Sequence, residues 1–366
     1  MLSVTFNEIA LKGKNKRDFE RVLRENIKYD LENNLIKNKL KHFHNEIRIE
    51  FENKDDEKKA ISILKNIFGI TYIYKHYELE KNLKQAKSYI KKIVEDYNLK
   101  NFFLRVKRID KSFEKTSPEI FLEFIKDLEK YNPERESENI ILLKITKTSI
   151  ELLYRIEKGP SGLPVGSLGK VVSLVSGGID SPVASWLMMK RGCEVILFHV
   201  SSFDKEENKV RKLFNALKKY SSGKIDLIIK TRKDLFGNVC HSFVKDSIED
   251  RYKCVLFKNM ITEIAQEICY ERGALGIVNG DNLGQVASQT LENLRATRYN
   301  IELPIYSPLI TYNKEEIIKL AKKIGTYDIS IEEEFTPDYI PKHPITKANL
   351  NKFLKIKKDL REKLKK

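Results

Sequence analysis

Within six residues, Ser176-Gly177-Gly178-Ile179-Asp180-Ser181, the chain places two hydroxyls, two adjacent glycines and a carboxylate. The run before it, Val171-Val172-Ser173-Leu174-Val175, is short, uncharged and β-rich, as a buried parallel strand should be. The run after it, Pro182-Val183-Ala184-Ser185-Trp186-Leu187-Met188-Met189, is rich in helix formers, with Pro182 where a first turn tolerates it. A strand, a glycine turn and a helix N-terminus make an anion site. Backbone N–H groups point outward, the helix dipole favours negative charge, and the missing Cβ atoms admit a phosphate. The spacing is not G-x-x-x-x-G-K-[ST] and the turn holds no lysine, which excludes the phosphate loop of kinases and GTPases.

The elements around this turn must present it at a sheet edge. Residues 158–167 (Lys158-Gly159-Pro160-Ser161-Gly162-Leu163-Pro164-Val165-Gly166-Ser167) are rich in Gly, Pro and Ser, and mark a boundary. Beyond it strands and helices alternate. Strands are expected at 194–200, 225–229 and 274–279, and helices at 206–220, up to Arg272 and at 314–324. That alternation predicts a doubly wound α/β domain with a parallel sheet, whose ligands sit at the carboxyl ends of the strands. Before the boundary, strands are expected at 2–6, 46–51, 68–74, 102–108, 140–145 and 150–156, and helices at 15–35, 81–97 and 118–131. This reads as two small α+β units divided near residue 77. The four parts are then 1–77, 78–160, a linker at 161–169, and 170–366. Residues 351–366 form a basic amphipathic helix expected to pack on its own domain.

A chain of 366 residues can bury two or three cores. No apolar stretch approaches the ~20 residues of a membrane span. Met1–Ile9 lacks the basic and apolar regions of a signal peptide. Four cysteines without a C-x-x-C pair argue against a disulfide framework or a zinc site, and for a reducing cytoplasm. The net charge of +16 divides into +7 for residues 1–160 and +9 for the rest, as expected where a polyanion lies across more than one domain. A lysine-rich composition explains the same charge equally well.

The S-G-G-x-D-S turn resembles the PP-loop of ATP pyrophosphatases, which split ATP between the α- and β-phosphates. Further segments are similar, in the same order, to the tRNA 4-thiouridine synthetases (tRNA sulfurtransferases). They are Asn7-Glu8-Ile9-Ala10-Leu11-Lys12-Gly13-Lys14-Asn15-Lys16, the linker Gly162-Leu163-Pro164-Val165-Gly166, and Gly280-Asp281-Asn282-Leu283-Gly284-Gln285-Val286-Ala287-Ser288-Gln289-Thr290-Leu291. Arg108-Ile109-Asp110-Lys111-Ser112-Phe113, followed by Thr116-Ser117, resembles the THUMP RNA-binding module.

The resemblance implies a ferredoxin-like unit, a THUMP domain and a PP-loop domain, acting as a homodimer in the cytoplasm without a membrane. It also implies tRNA as substrate and thiolation of the uridine at position eight after adenylation of its O4. For the nucleotide it implies Leu174, Val175, Ser176, Gly177, Gly178, Asp180, Ser181, His199, Val200, Lys258, Gly280 and Gln289. ATP and Mg²⁺ are then required, with Asp180 touching the ion directly or through water. Asp180 also suits a helix cap, and the two roles are compatible. Lys314 matches a lysine that neutralises charge growing on phosphate. Lys12, Lys14, Lys16 and Arg17, with Arg105, Lys107, Arg108 and Lys111, are the candidate phosphate contacts for RNA. For each of these a solvated face is the competing reading.

Three departures concern sulfur. A rhodanese domain is not found before Lys366. The segment Thr336-Pro337-Asp338-Tyr339-Ile340 lacks the family's cysteine. Phe257 stands where a second cluster ligand would follow Cys254, so no iron–sulfur cluster is expected. Cys254 shares a helical face with Lys258, which predicts a lowered thiol pKa and leaves a persulfide carrier and a packed thiol both open. Cys193 and Cys269 read as core. Sulfur then arrives as sulfide or on a separate carrier. Two other readings remain: adenylation of RNA for a different nucleophile, and a tRNA-binding protein without turnover. A role in thiamine synthesis is not legible in these residues.

Overall fold

The computed structural model describes residues 1–43, 45–134, 136–237, 247–332 and 341–364. The chain folds as two compact units, 1–162 and 163–366.

In the first unit the elements run β1 (Leu2–Thr5), α1 (Lys16–Asn33), β2 (Asn38–Phe43), β3 (Glu46–Phe51), α2 (Lys54–Leu64), β4 (Tyr72–Leu79), α3 (Leu83–Asp96), β5 (Phe103–Arg108), α4 (Ser117–Leu128), β6 (Ile140–Ile145) and β7 (Ile150–Lys158). All seven strands join one sheet in the order β2-β3-β1-β4-β7-β6-β5. β4 contains residue 77, pairing with β1 on one side and β7 on the other, so one continuous sheet runs through the expected division. The apolar face of β5, β6 and β7 (Leu104, Ile141, Leu143, Leu152) packs on Ile90 of α3 and Phe124 of α4. Asn53, Asn82 and Thr116 cap α2, α3 and α4 with their side chains, and Glu119 completes a capping box on Thr116.

Two expectations shift here. The strand expected at 68–74 lies at Tyr72–Leu79, because Phe68-Gly69-Ile70 is spent on a buried turn with Gly69 at φ 101°. Neither β2, an edge strand of sequence NKLKHF, nor the charged helix α2 was expected.

The second unit runs β8 (Lys170–Leu174), α5 (Asp180–Lys190), β9 (Glu194–Ser201), α6 (Asp204–Lys218), β10 (Ile225–Thr231), α7 (Arg232–Phe236), α8 (Ile248–Arg251), α9 (Lys253–Arg272), β11 (Ile277–Val278), α10 (Leu291–Thr297), β12 (Ile305–Tyr306), α11 (Lys314–Ile324), α12 (Tyr327–Ser330) and α13 (Leu350–Leu364). Its five strands are parallel in the order β10-β9-β8-β11-β12. α9 covers one face through Ala265, Ile268 and Cys269 against Val172, Ile196 and Phe198. α5 covers the other, where Ser173 and Ser185 meet in the core with their hydroxyls 2.8 Å apart. The doubly wound sheet is thus as expected. The strand expected at 274–279 shortens to two residues, because the chain leaves the sheet at Asn279 to enter the site. α13 buries Phe353, Ile356 and Leu360 on its own unit, and Lys357 with them. Among the described residues no helix is long and apolar enough to cross a membrane.

Candidate active site

From β8 the strand order runs outward both ways, to β9 and to β11, and the crevice at the carboxyl ends of β8 and β11 is where an open parallel sheet receives ligands. Gly280 leaves β11 so close to α5 that a Cβ there would lie 2.8 Å from the Ser181 amide nitrogen. Only glycine permits that approach.

The glycine turn is organised by Ser181, the second residue of α5. Its Oγ accepts from the Ser176 amide at 2.8 Å and lies 3.1 Å from Ser176 Oγ, which accepts in turn from the Gly178 amide at 3.3 Å. Two of the turn's amides are thereby held by serine hydroxyls rather than pointing outward. Ser330 Oγ donates to the Gly178 carbonyl at 3.2 Å and braces the turn from α12. Gly177 lies against the Lys209 side chain and not on the cavity wall.

Beside the turn is a cavity of about 290 Å³. Leu174, Val175, Ser176, Gly178, Asp180, Ser181, His199, Val200, Lys258, Gly280 and Gln289 all line it, so of the expected nucleotide residues Gly177 alone stands off its wall. Asp180 opens α5 and has a partner on each oxygen: Lys314 Nζ donates to Oδ1 at 2.7 Å and Gln285 Nε2 to Oδ2 at 3.0 Å. Lys314 is the first residue of α11, which Asn313 and Glu316 start with a capping box. Lys258 reaches from α9 to Asp281 Oδ1 at 2.9 Å.

His199 is buried, with Nδ1 2.9 Å from the Val175 carbonyl. A carbonyl only accepts, so the proton sits on Nδ1 and leaves Nε2 as an acceptor with no partner among the described residues. Burial pushes its pKa down and keeps the ring neutral, although the Val175 bond opposes this. The amide oxygen of Gln289 is likewise buried without a partner. Unsatisfied acceptors on a cavity wall suit a ligand with N–H or O–H donors.

Asp281, Asn279, Glu206, Thr262 and Arg298 also line the cavity and were not among the expected residues. Asn279 and Asp281 flank Gly280 at the carboxyl end of a strand, a signal that could have found them. Arg298 stands in an irregular segment after α10 and has no such signal.

Cys254 lies on α9 but not on the cavity wall. Burial pushes its thiol pKa up and outweighs the lowering by Lys258 and Arg232, which corrects the expected lowering and favours the packed thiol of the two readings left open. Cys193 and Cys269 are buried and their thiols are pushed up, the latter to about 11. Residues 336–340 of the proline–aspartate segment lie outside the described residues.

In the first unit, Lys14, Arg17, Arg105, Lys107 and Lys111 are exposed. Arg105 and Lys107 share one face of the edge strand β5. Lys12 sits over the Phe19 ring at 5.2 Å, and Lys16 pairs with Glu20 at 3.5 Å. Arg108 turns the other way, donating from Nη1 to the carbonyls of Phe113 at 2.9 Å and Lys115 at 3.1 Å. Its Nη1 is thereby committed to the loop before α4.

Residues 166–361 match the family model described as thiamine biosynthesis protein (ThiI), and residues 1–73 match the ThiI ferredoxin-like domain. A probable tRNA sulfurtransferase of Thermococcus kodakarensis is 38% identical over 96% of this chain and 95% of its own length. Its counterpart in Methanocaldococcus jannaschii is 35% identical over 98% of this chain and 96% of its own. Among solved structures, a 4-thiouridine synthetase in complex with RNA and bound ATP superposes with a TM-score of 0.83 at 31% identity, covering 99% of this chain and 95% of that one.

Proposed function

Because the chain belongs to the ThiI family of tRNA sulfurtransferases, we propose that it uses ATP to exchange a uridine oxygen of tRNA for sulfur, making 4-thiouridine at position eight. The observation that carries this reading is the convergence of Asp180, Lys258 and His199 on one cavity at the switch point of the sheet, with Lys314 paired to Asp180 at 2.7 Å.

ATP fits the residues present. The turn from Ser176 to Ser181 receives the pyrophosphate part at the N-terminus of α5. The bare His199 Nε2 and Gln289 Oε1 suit the amino and hydroxyl donors of adenosine. Asp180 would hold Mg²⁺, directly or through water, and the ion would neutralise charge on the pyrophosphate. Uridine O4 attacks the α-phosphorus, the bond to the bridging oxygen breaks and pyrophosphate leaves. Lys314, at the mouth of the turn, neutralises charge on the phosphoryl oxygens. A sulfur nucleophile then adds at C4, and AMP departs with the former O4. Sulfur comes as sulfide or from a separate carrier. Lys12, Lys14, Lys16, Arg17, Arg105, Lys107 and Lys111 hold the tRNA backbone, and two copies of the chain act together.

The test is incubation of the protein with unmodified tRNA, MgATP and sulfide, followed by nucleoside mass spectrometry. The expected result is 4-thiouridine at position eight, with AMP and pyrophosphate formed in equal amounts. AMP formation with no thionucleoside at any sulfide concentration would sink the reading.

A further inference from the structure

We infer that Arg298 is a phosphate-binding residue of the nucleotide cavity, an inference that rests on the reading of that cavity as an ATP site. Arg298 caps the C-terminal end of α10, and its backbone is fixed from both sides. The fully buried Asn259 amide donates to the Thr297 carbonyl at 3.1 Å and to the Tyr299 carbonyl at 3.0 Å. Lys357 of α13 donates to the Asn259 oxygen, so the amide that clamps this segment is satisfied on both ends.

The guanidinium is held on one side only. Nη2 donates to Ser307 Oγ at 2.7 Å and lies 3.5 Å from Asp281 Oδ2. Asp281 is already engaged, by Lys258 at 2.9 Å and by the Asn279 side chain at 2.7 Å. Asp180 is matched by Lys314. Arg298 therefore lines the cavity with its charge paired only to a carboxylate that Lys258 and Asn279 hold at shorter distance. Its Nε is buried and has no partner among the described residues. The side chain is about two-thirds buried, at 33% exposure, so its charge is less screened than that of a surface arginine.

A planar cation with unused donors, fixed in place and facing a cavity, suits two oxygens of one tetrahedral anion. The phosphate of the nucleotide is the group of that shape and charge. A uracil carbonyl would use one donor and leave the charge unmatched. Ser307 acts through Arg298: its hydroxyl sets the plane of the guanidinium.

The experiment is calorimetric titration of the full-length protein with MgATP, and separately with inorganic pyrophosphate, in the absence of RNA. Wild type, Arg298→Gln, Arg298→Lys and Ser307→Ala are compared, and tRNA affinity and the thermal transition are recorded for each. Arg298→Gln is expected to weaken ATP by roughly 10- to 100-fold. Arg298→Lys should fall between it and wild type, because the charge remains and the fork is lost. Ser307→Ala should weaken ATP several-fold with its charge complement intact. Transfer RNA affinity should not change. Wild-type ATP affinity in Arg298→Gln would overturn the inference while leaving the ATP site standing. So would reduced thiolation at unchanged ATP affinity, which would place Arg298 against the RNA. Equal losses in Arg298→Gln and Arg298→Lys, tracking equal drops in the thermal transition, would reduce it to a packing residue. A wild-type protein that binds no ATP would remove both readings together.

Discussion

Lys314 Nζ and Asp180 Oδ1 lie 2.7 Å apart, joining the first residue of α11 to the first residue of α5. Two side chains 134 residues apart in sequence thus meet at the mouth of the glycine turn. Asp180 is also held by Gln285, so the carboxylate is aimed by groups from two other segments.

Asp180→Ala is expected to abolish ATP–pyrophosphate exchange and leave tRNA affinity near wild type, because the basic candidates for RNA belong to the other unit. Lys314→Ala should lower the adenylation rate by about 10²–10³-fold, the usual cost of one charge-stabilising donor. Exchange kinetics and filter binding read the two effects separately. An equal loss of tRNA affinity in Asp180→Ala would mean the turn has been misassigned.

Cys254→Ser is expected to retain thiolation with sulfide supplied. Burial holds this sulfur as a thiol, and it stands off the cavity wall. The cost should be stability alone, about 1–3 kcal/mol for placing a hydroxyl where a thiol packed. Adenylated tRNA accumulating in this variant under saturating sulfide would instead make Cys254 the sulfur carrier.

Residues 1–162 alone should bind tRNA, with log affinity falling linearly in log salt at roughly −0.9 per phosphate contact on duplex. Arg105→Ala and Lys107→Ala should each reduce that slope by about one contact. Arg108→Ala should leave the slope unchanged and lower the melting temperature, since its Nη1 ties β5 to the carbonyls of Phe113 and Lys115. Ion-exchange retention without saturable tRNA binding would reduce the charge of this unit to solubility.

Acid should destabilise the first unit through Glu46. Burial by itself would push this carboxyl up, but hydrogen bonds from His76, Lys144 and Arg48 and the charge of Lys144 outweigh it. They hold the pKa far below the ordinary 4.5. A depressed folded-state pKa contributes stability that is complete above the unfolded value and is lost as pH falls from about 4.5 toward the folded one. Melting temperature against pH should therefore drop below about pH 4.5 in wild type. Glu46→Gln should be less stable at neutral pH, because Arg48 and Lys144 lose a buried partner, and flatter in acid. An unchanged acid slope in Glu46→Gln would clear this residue.

The glycine turn was legible because strand, turn and helix are consecutive, so their chemistry is written locally. β2 was not, because an edge strand of alternating exposed residues carries no apolar period. α2 was missed for a related reason. Its first turn holds Asp55, Asp56 and Glu57 behind the Asn53 cap, and it buries only Ala60 and Leu64. Lys357 looked like one more charge on a basic helix, and only the packed structure shows it donating to Asn259 and to Glu263 at 2.7 Å. Its pKa is pushed down by burial, against the pull of Glu263. Arg298 is the same case in the site itself: its meaning depends on Ser307 and Asp281, which no local pattern connects to it.

The placement of β4 sets a schedule for synthesis. One of its edges finds β1, made long before, but the other waits for β7, which is complete only at Lys158. Between Leu79 and Lys158 a ribosome working at roughly 5–20 residues per second spends about 4–16 s. During that interval β4 is an open edge, able to accept a strand from any neighbouring nascent chain. Slowing translation within residues 80–149 should thus lower the soluble yield of this protein, and speeding it there should raise it.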